Sequence, residues 1–133
     1  MKNCIDHLGI IVRNLERILP LYTDILGLEV TRTEIVEGEK VKVALLPAGG
    51  MRIELIEPQS ADSPAGRYLE RHGEGLHHIC LRVPDIHETC KRCREAGIRL
   101  LNEEPKDGAE GRKYVFLDPK QTGRVLIELC QIP

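Results

Sequence analysis

Tryptophan is absent from this 133-residue chain, and other aromatic rings are scarce: Phe116, Tyr22, Tyr68 and Tyr114 are all it has. So small a set argues against a base-stacking surface for single-stranded nucleic acid. An excess of one charge is also missing. The formal net charge is -2, with no long run of like charge, which argues against a general polyanion-binding protein. No stretch approaches the length of a membrane span. The start, Met1-Lys2-Asn3-Cys4-Ile5, lacks the long apolar run of a secretory signal. The cysteines Cys4, Cys80, Cys90, Cys93 and Cys130 are odd in number, so they do not form a complete disulfide framework, and a reduced, cytoplasmic protein is expected. No Gly-rich phosphate loop of the P-loop or dinucleotide type is present.

What the chain does have is a message written twice. Ile5-Asp6-His7-Leu8-Gly9-Ile10-Ile11-Val12 precedes a helix-like stretch and Gly27-Leu28-Glu29-Val30. Leu76-His77-His78-Ile79-Cys80-Leu81-Arg82-Val83 precedes another helix-like stretch and Gly97-Ile98-Arg99-Leu100. Each half closes on an apolar-Glu-apolar strand, Ile53-Glu54-Leu55 and Ile127-Glu128-Leu129. Two copies packed together pool two imidazoles and two carboxylates. That donor set suits a borderline or hard divalent ion, and an octahedral site would keep positions open for water or substrate. An open position makes a metal catalytic rather than structural.

Alternation selects the histidines. Leu8, Ile10 and Val12 form one apolar face, with Ile5, His7, Gly9 and Ile11 on the other. His77, Ile79, Leu81 and Val83 likewise oppose Leu76, His78, Cys80 and Arg82. His7 and His78 each have a small neighbour two residues on, Gly9 or Cys80, which leaves room for a ligand. His77 has the opposite parity and reads as structural, while His72 and His87 read as solvated.

Leu15, Ile18, Leu19, Tyr22, Ile25 and Leu26 recur at helical spacing between a possible Asn14 cap and Gly27. Pro20 inside that stretch predicts a kink or a later start. A second helix is expected over about Asp85 to Ala96, closed by Gly97. Extended segments are expected near 28–35, 40–47 and 51–57, then near 98–101, 112–118 and 124–130, with turns at Gly38, Gly49-Gly50 and Asp107 to Gly111. A linker over 58–74 carries a short helix, Ser63 to His72, with Pro64 at its first position. The expected fold is α+β: one domain over 1–133, built of two βαβββ modules (about 3–57 and 75–131) that form a curved, half-open, barrel-like sheet with helices on the outer face. Each half alone would be marginal, so the two must share a core or an interface.

These residues resemble the vicinal oxygen chelate, or glyoxalase-like, superfamily, and within it the chain is similar to the methylmalonyl-CoA epimerases. The resemblance rests on Ile5-Asp6-His7-Leu8-Gly9-Ile10, Arg52-Ile53-Glu54-Leu55-Ile56-Glu57-Pro58, Asp62-Ser63-Pro64, Gly73-Glu74-Gly75-Leu76-His77-His78-Ile79, Glu103-Glu104-Pro105-Lys106-Asp107-Gly108 and Val125-Leu126-Ile127-Glu128-Leu129. It implies metal ligands His7, Glu54, His78 and Glu128 and a divalent ion (Co, Ni, Mn, Zn or Mg). It also implies a small acyl-CoA substrate, a homodimer, and no membrane or nucleic-acid partner. Glu128 is implied as ligand and base, with Glu54 the other catalytic candidate. Several epimerases carry a second catalytic glutamate where this chain has Val43. Phe116-Leu117-Asp118-Pro119-Lys120 and Gly123-Arg124 also depart from the family pattern, which has His at Asp118 and Gly at Arg124.

Alternatives from the same superfamily are a glyoxalase I-like lyase, which uses the same ligands on a glutathione hemithioacetal, and a metal-free binding protein. A ring-cleaving dioxygenase fits less well, because its iron triad needs no fourth ligand. Cys90-Lys91-Arg92-Cys93 lies in the second helix, without a partner pair, and reads as packing. Lys40, Lys42, Arg112, Lys113, Lys120 and Arg124 are candidates to meet CoA phosphates, each weakly.

Overall fold

The computed structural model describes residues 4–133. Asn3, the expected start of the first half, lies outside the described residues. The chain divides into two compact units, His7–His77 and residues 4–6 with His78–Pro133. The division cuts the first strand between Asp6 and His7.

The first unit has the βαβββ order. β1 (Cys4–Ile11) leads into α1 (Leu15–Pro20), followed by β2 (Arg32–Val36), β3 (Val41–Ala48) and β4 (Met51–Pro58). The spatial order is β2-β3-β4-β1, with β1 and β4 parallel and the other pairs antiparallel. Val12, Leu15, Ala44, Leu46 and Leu55 form a buried cluster, joined by Ile10, Ile18, Leu19, Tyr22, Leu28 and Ile53. Alternation therefore sends Ile10, Val12, Ile53 and Leu55 to the helix side and leaves His7 and Glu54 on the opposite face.

α2 (Pro64–His72) follows in the same unit. Ser63 caps it, its hydroxyl donating to the Ser60 carbonyl at 2.7 Å and accepting from Gly66 N at 3.0 Å. Gly66 is obligatory here, because a Cβ would sit 2.1 Å from the Ser60 carbonyl oxygen. That gives the Asp62-Ser63-Pro64 segment a physical meaning as a locked helix entry.

The second unit repeats the plan with β5 (Gly75–Arg82), α3 (Ile86–Glu95), β6 (Lys106–Asp107), β7 (Lys113–Phe116) and β8 (Ile127–Gln131). The first three residues of β5 fall on the other side of the division. The strand order is β5-β8-β7-β6, again with one parallel pair, β5 with β8. Val83, Ile86, Cys90, Val115 and Leu129 pack with Leu81, Leu100, Leu117 and Ile127 on the helix side. Glu128 is left on the other face, with His78 and Cys80.

The repeat extends to the helix entries. Asn14 and Asp85, each seven residues beyond its histidine, accept from the backbone N of Arg17 and Glu88. Glu57 and Gln131, each three residues beyond its closing glutamate, accept from the first helical N–H, Leu15 N and Ile86 N, both at 2.8 Å. Each closing strand is thus tied to its helix by a bond that the sequence reading missed. The spacing of Glu54 to Glu57 and Glu128 to Gln131 carried the signal.

Three expectations need correction. Ile25 and Leu26 do not continue the packed face of α1; they are 76% and 58% exposed. At Pro20 the winding changes to a π turn over Leu21–Ile25, with Leu26 N donating to Leu21 O at 2.9 Å, and the wider turn rotates both side chains off the stripe. Of the two outcomes expected from Pro20, the chain takes the change of direction there and not the later start, since α1 begins at Leu15.

The strand expected near 98–101 is reduced to one bridge, Leu100 with Leu117, and the paired strand is Lys106–Asp107 instead. Asn102 donates to the Glu104 carbonyl at 2.8 Å, and Pro105 has no N–H to offer, so the ladder is interrupted between the bridge and β6. Finally, Arg112 is unavailable to a phosphate. It is buried, and its Nη1 donates to the buried Asp6 carboxylate.

Candidate metal centre

In the first unit β1 supplies His7 and β4 supplies Glu54. The parallel register sets Gly9 beside Glu54 and His7 beside Arg52, so both ligand candidates share a face one pleat apart. His7 Nε2 lies 3.8 Å from Glu54 Oε1, with side chains 4% and 12% exposed.

In the second unit β5 supplies His78 and β8 supplies Glu128, in the equivalent arrangement. Cys80 stands beside Glu128 as Gly9 stands beside Glu54. His78 Nε2 lies 2.9 Å from Glu128 Oε1, and exposure is again 4% and 12%. Phe116 meets the His78 ring edge-on, with centroids 5.6 Å apart. Cys80 is fully buried and packs with Tyr114, Cys130 and Phe116. Its hydrogen bond with Cys130 and its burial push its pKa far above the usual thiol range, so it stays a neutral packing group.

A further buried polar cluster supports β1 just ahead of His7. Asp6, its side chain fully buried, accepts from Arg82 Nη2 at 2.7 Å and Nε at 3.2 Å, and from Arg112 Nη1. The Asp6 hydrogen bond raises the Arg82 pKa further. For Arg112 burial opposes the charge, and the bond to Asp6 overrides it. Sequence reading missed this triad, because Asp6 lies between two residues of stronger signal and its partners are 76 and 106 positions away.

The remaining candidates fall in structural or solvent roles. His77 stacks edge-on against Tyr68 at 4.6 Å, and His72 and His87 are exposed. Cys90 is buried and Cys93 partly so; burial raises both thiol pKa values. Lys40, in the left-handed region at φ 55, is 3.9 Å from Asp62, and Lys113 pairs with Asp107.

Two βαβββ modules, each setting a buried histidine against a carboxylate on the sheet face away from its helix, define a duplicated fold with ligand-type pairs in corresponding places. The chain belongs to the Glyoxalase/Bleomycin resistance protein/Dioxygenase superfamily, whose family model matches residues 6–116. It is 40% identical to the uncharacterized protein YqjC of Bacillus subtilis (97% of this chain, 92% of that protein). It is 37% identical to the ethylmalonyl-CoA/methylmalonyl-CoA epimerase of Cereibacter sphaeroides (96% and 97%). Streptomyces coelicolor methylmalonyl-CoA epimerase, solved in complex with 2-nitronate-propionyl-CoA, superposes with a TM-score of 0.93 at 34% identity, covering 99% of each chain. The chain is therefore similar to an isomerase over its whole length. Among the described residues, no helix is long and apolar enough to cross a membrane.

Proposed function

We propose that this protein interconverts the 2R and 2S forms of methylmalonyl-CoA, with His7, Glu54, His78 and Glu128 holding one divalent cation. The observation that carries the reading is the matched pair geometry: in each module a 4%-exposed imidazole faces a 12%-exposed carboxylate, on strands the duplication makes equivalent. Unpartnered histidines are common on strands; two such pairs at equivalent positions are not. The donor set of two imidazole nitrogens and two carboxylate oxygens fits a borderline or hard divalent ion, Co, Ni, Mn, Zn or Mg. The name of the Cereibacter relative and the ligand of the Streptomyces structure support an acyl-CoA substrate.

The carbon between a thioester and a carboxylate is acidic only if the enolate left behind is stabilised. A bound divalent cation supplies Lewis-acid stabilisation of that negative charge, worth several kcal/mol. The protein's own part is proton transfer. Glu128 takes the C2 proton as its carboxylate, the C–H electron pair moves into the thioester carbonyl, and a proton returns to C2 on the opposite face. A well-placed carboxylate contributes roughly 100- to 10,000-fold to such a step. Glu128 serves as both ligand and base in this arrangement, and Glu54, the other catalytic candidate, takes the ligand role.

The test is C2 proton exchange and epimerisation of methylmalonyl-CoA in heavy water, with and without added metal, beside an assay of the glutathione hemithioacetal. Metal-dependent exchange and epimerisation are expected. Turnover of the hemithioacetal alone would assign the protein to the glyoxalase I-like lyases instead, and absence of both activities and of metal affinity would leave a binding protein. We further infer a homodimer in a reducing cytoplasm, supported by the family resemblance and by the odd number of cysteines; light scattering of the purified protein reads the dimer directly.

A further inference from the structure

Epimerisation needs an acid–base group on each side of C2, and the proposed function supplies one of them, Glu128, as both ligand and base. Val43 cannot serve. The sheet places another carboxylate directly beside it. In the β2–β3 ladder Glu34 is the cross-strand partner of Val43, and in the β3–β4 ladder Val43 is the partner of Ile56. One pleat away, Arg32 pairs with Leu45 and Leu45 pairs with Glu54. Directly opposed residues share a face, with Cβ atoms about 4.5–5.5 Å apart. Glu34, Val43, Arg32, Leu45 and Glu54 therefore all lie on the face away from α1, where His7 also lies.

On that face of β1 to β4, Glu34 is the only carboxylate among the described residues besides Glu54. It is two strands across and one pleat along from Glu54, about 12 Å between Cα atoms by strand and residue spacing. Side chains on one face of a sheet stand off it in the same direction, so Glu34 rises on the side of the sheet where Glu54 and His7 stand. Its side chain is 24% exposed, partly shielded yet open to proton exchange with solvent, and Arg32 Nε holds its Oε1 at 2.9 Å. Arg32 is 51% exposed, so this is a weak surface-type ion pair, able to orient the carboxylate without locking it away.

We propose that Glu34 is the second proton-transfer group, taking from β2 the role that Val43 cannot fill on β3. The inference rests on the proposed epimerase activity. In one direction Glu34 accepts the C2 proton while the electron pair enters the thioester carbonyl, and Glu128 in its acid form returns a proton to the other face. In the reverse direction the roles exchange, and solvent resets the two carboxyl groups.

The experiment follows each pure epimer with wild type, Glu34→Gln and the double variant Glu34→Gln/Val43→Glu in heavy water, with added metal. Net epimerisation by Glu34→Gln should fall at least about 100-fold, the lower bound for general acid–base catalysis. Exchange of the C2 proton into solvent should persist for the epimer whose proton faces Glu128 and vanish for the other. The double variant should regain epimerisation, because it returns a carboxylate to the neighbouring strand. Epimerisation by Glu34→Gln within about threefold of wild type would overturn the assignment, as would equal loss of exchange from both epimers with no recovery in the double variant. A wild-type protein inactive on both epimers would instead sink the proposed function, and the role of Glu34 with it.

Discussion

His78 Nε2 lies 2.9 Å from Glu128 Oε1, while the equivalent atoms of His7 and Glu54 stand 3.8 Å apart. Both pairs stand on equivalent parallel registers, β1–β4 and β5–β8, and the tighter one has Phe116 against its imidazole. Replacing Glu128 by Ala should abolish net epimerisation and C2 exchange of the epimer whose proton faces Glu128, and weaken metal binding, yet leave the fold intact, since the residue faces away from the Val83–Ile86–Leu129 cluster. Circular dichroism alongside the exchange assay checks this. Wild-type exchange by the variant would remove Glu128 from the chemistry.

Asp6→Asn should destabilise the protein by about 3–5 kcal/mol, the usual cost of breaking a buried ion pair. The estimate rests on the Asp6–Arg112 contact, both side chains being 10% exposed or less; Arg82, at 41%, counts for little. Urea unfolding measures it, and a loss under about 1 kcal/mol would show that the triad is dispensable.

Cys90 and Cys93 should resist alkylation at neutral pH in the folded protein and react readily once it is unfolded. Burial raises both pKa values, so folding favours the protonated thiols. The sign follows: their contribution to stability is fully present below the unfolded thiol pKa of about 8.5 and is lost as pH rises through the folded values. Rapid labelling of the native protein at pH 7 would contradict their role as packing groups.

Arg124 occupies the left-handed region at φ 67, a conformation that costs an L-residue about 1–2 kcal/mol. Arg124→Gly should leave stability unchanged or raise it by up to about 1 kcal/mol, because the relief is partly offset by the greater freedom of glycine when unfolded. Arg124→Ala should give no such gain. Thermal melts of the two variants separate backbone strain from loss of the side chain.

Much of this was legible because the information was local and repeated. The α+β class, both βαβββ modules, the caps Asn14 and Ser63, the start of α3 near Asp85, and the helix-side stripes follow from cap residues, alternation and helical period. So does the face shared by His7 and Glu54. What escaped was non-local or backbone-driven. The π turn after Pro20 carried Ile25 and Leu26 off the stripe, a change of winding invisible to a fixed 3.6-residue period. The loop from Asn102 to Pro105 split a ladder that Ile98 to Leu101 seemed able to form. Arg112 looked like surface charge because its partner Asp6 is distant in sequence. Glu34 drew no attention because its relevance arises only from the β2–β3 register.

The most direct test of the central claim, one cation held by ligands from both repeats, is a cobalt titration of the metal-free protein, read by calorimetry and the visible cobalt spectrum. One equivalent per chain is predicted, and His7→Ala and His78→Ala should each abolish the same site. Two equivalents per chain, or a site that survives either substitution with its spectrum unchanged, would contradict it.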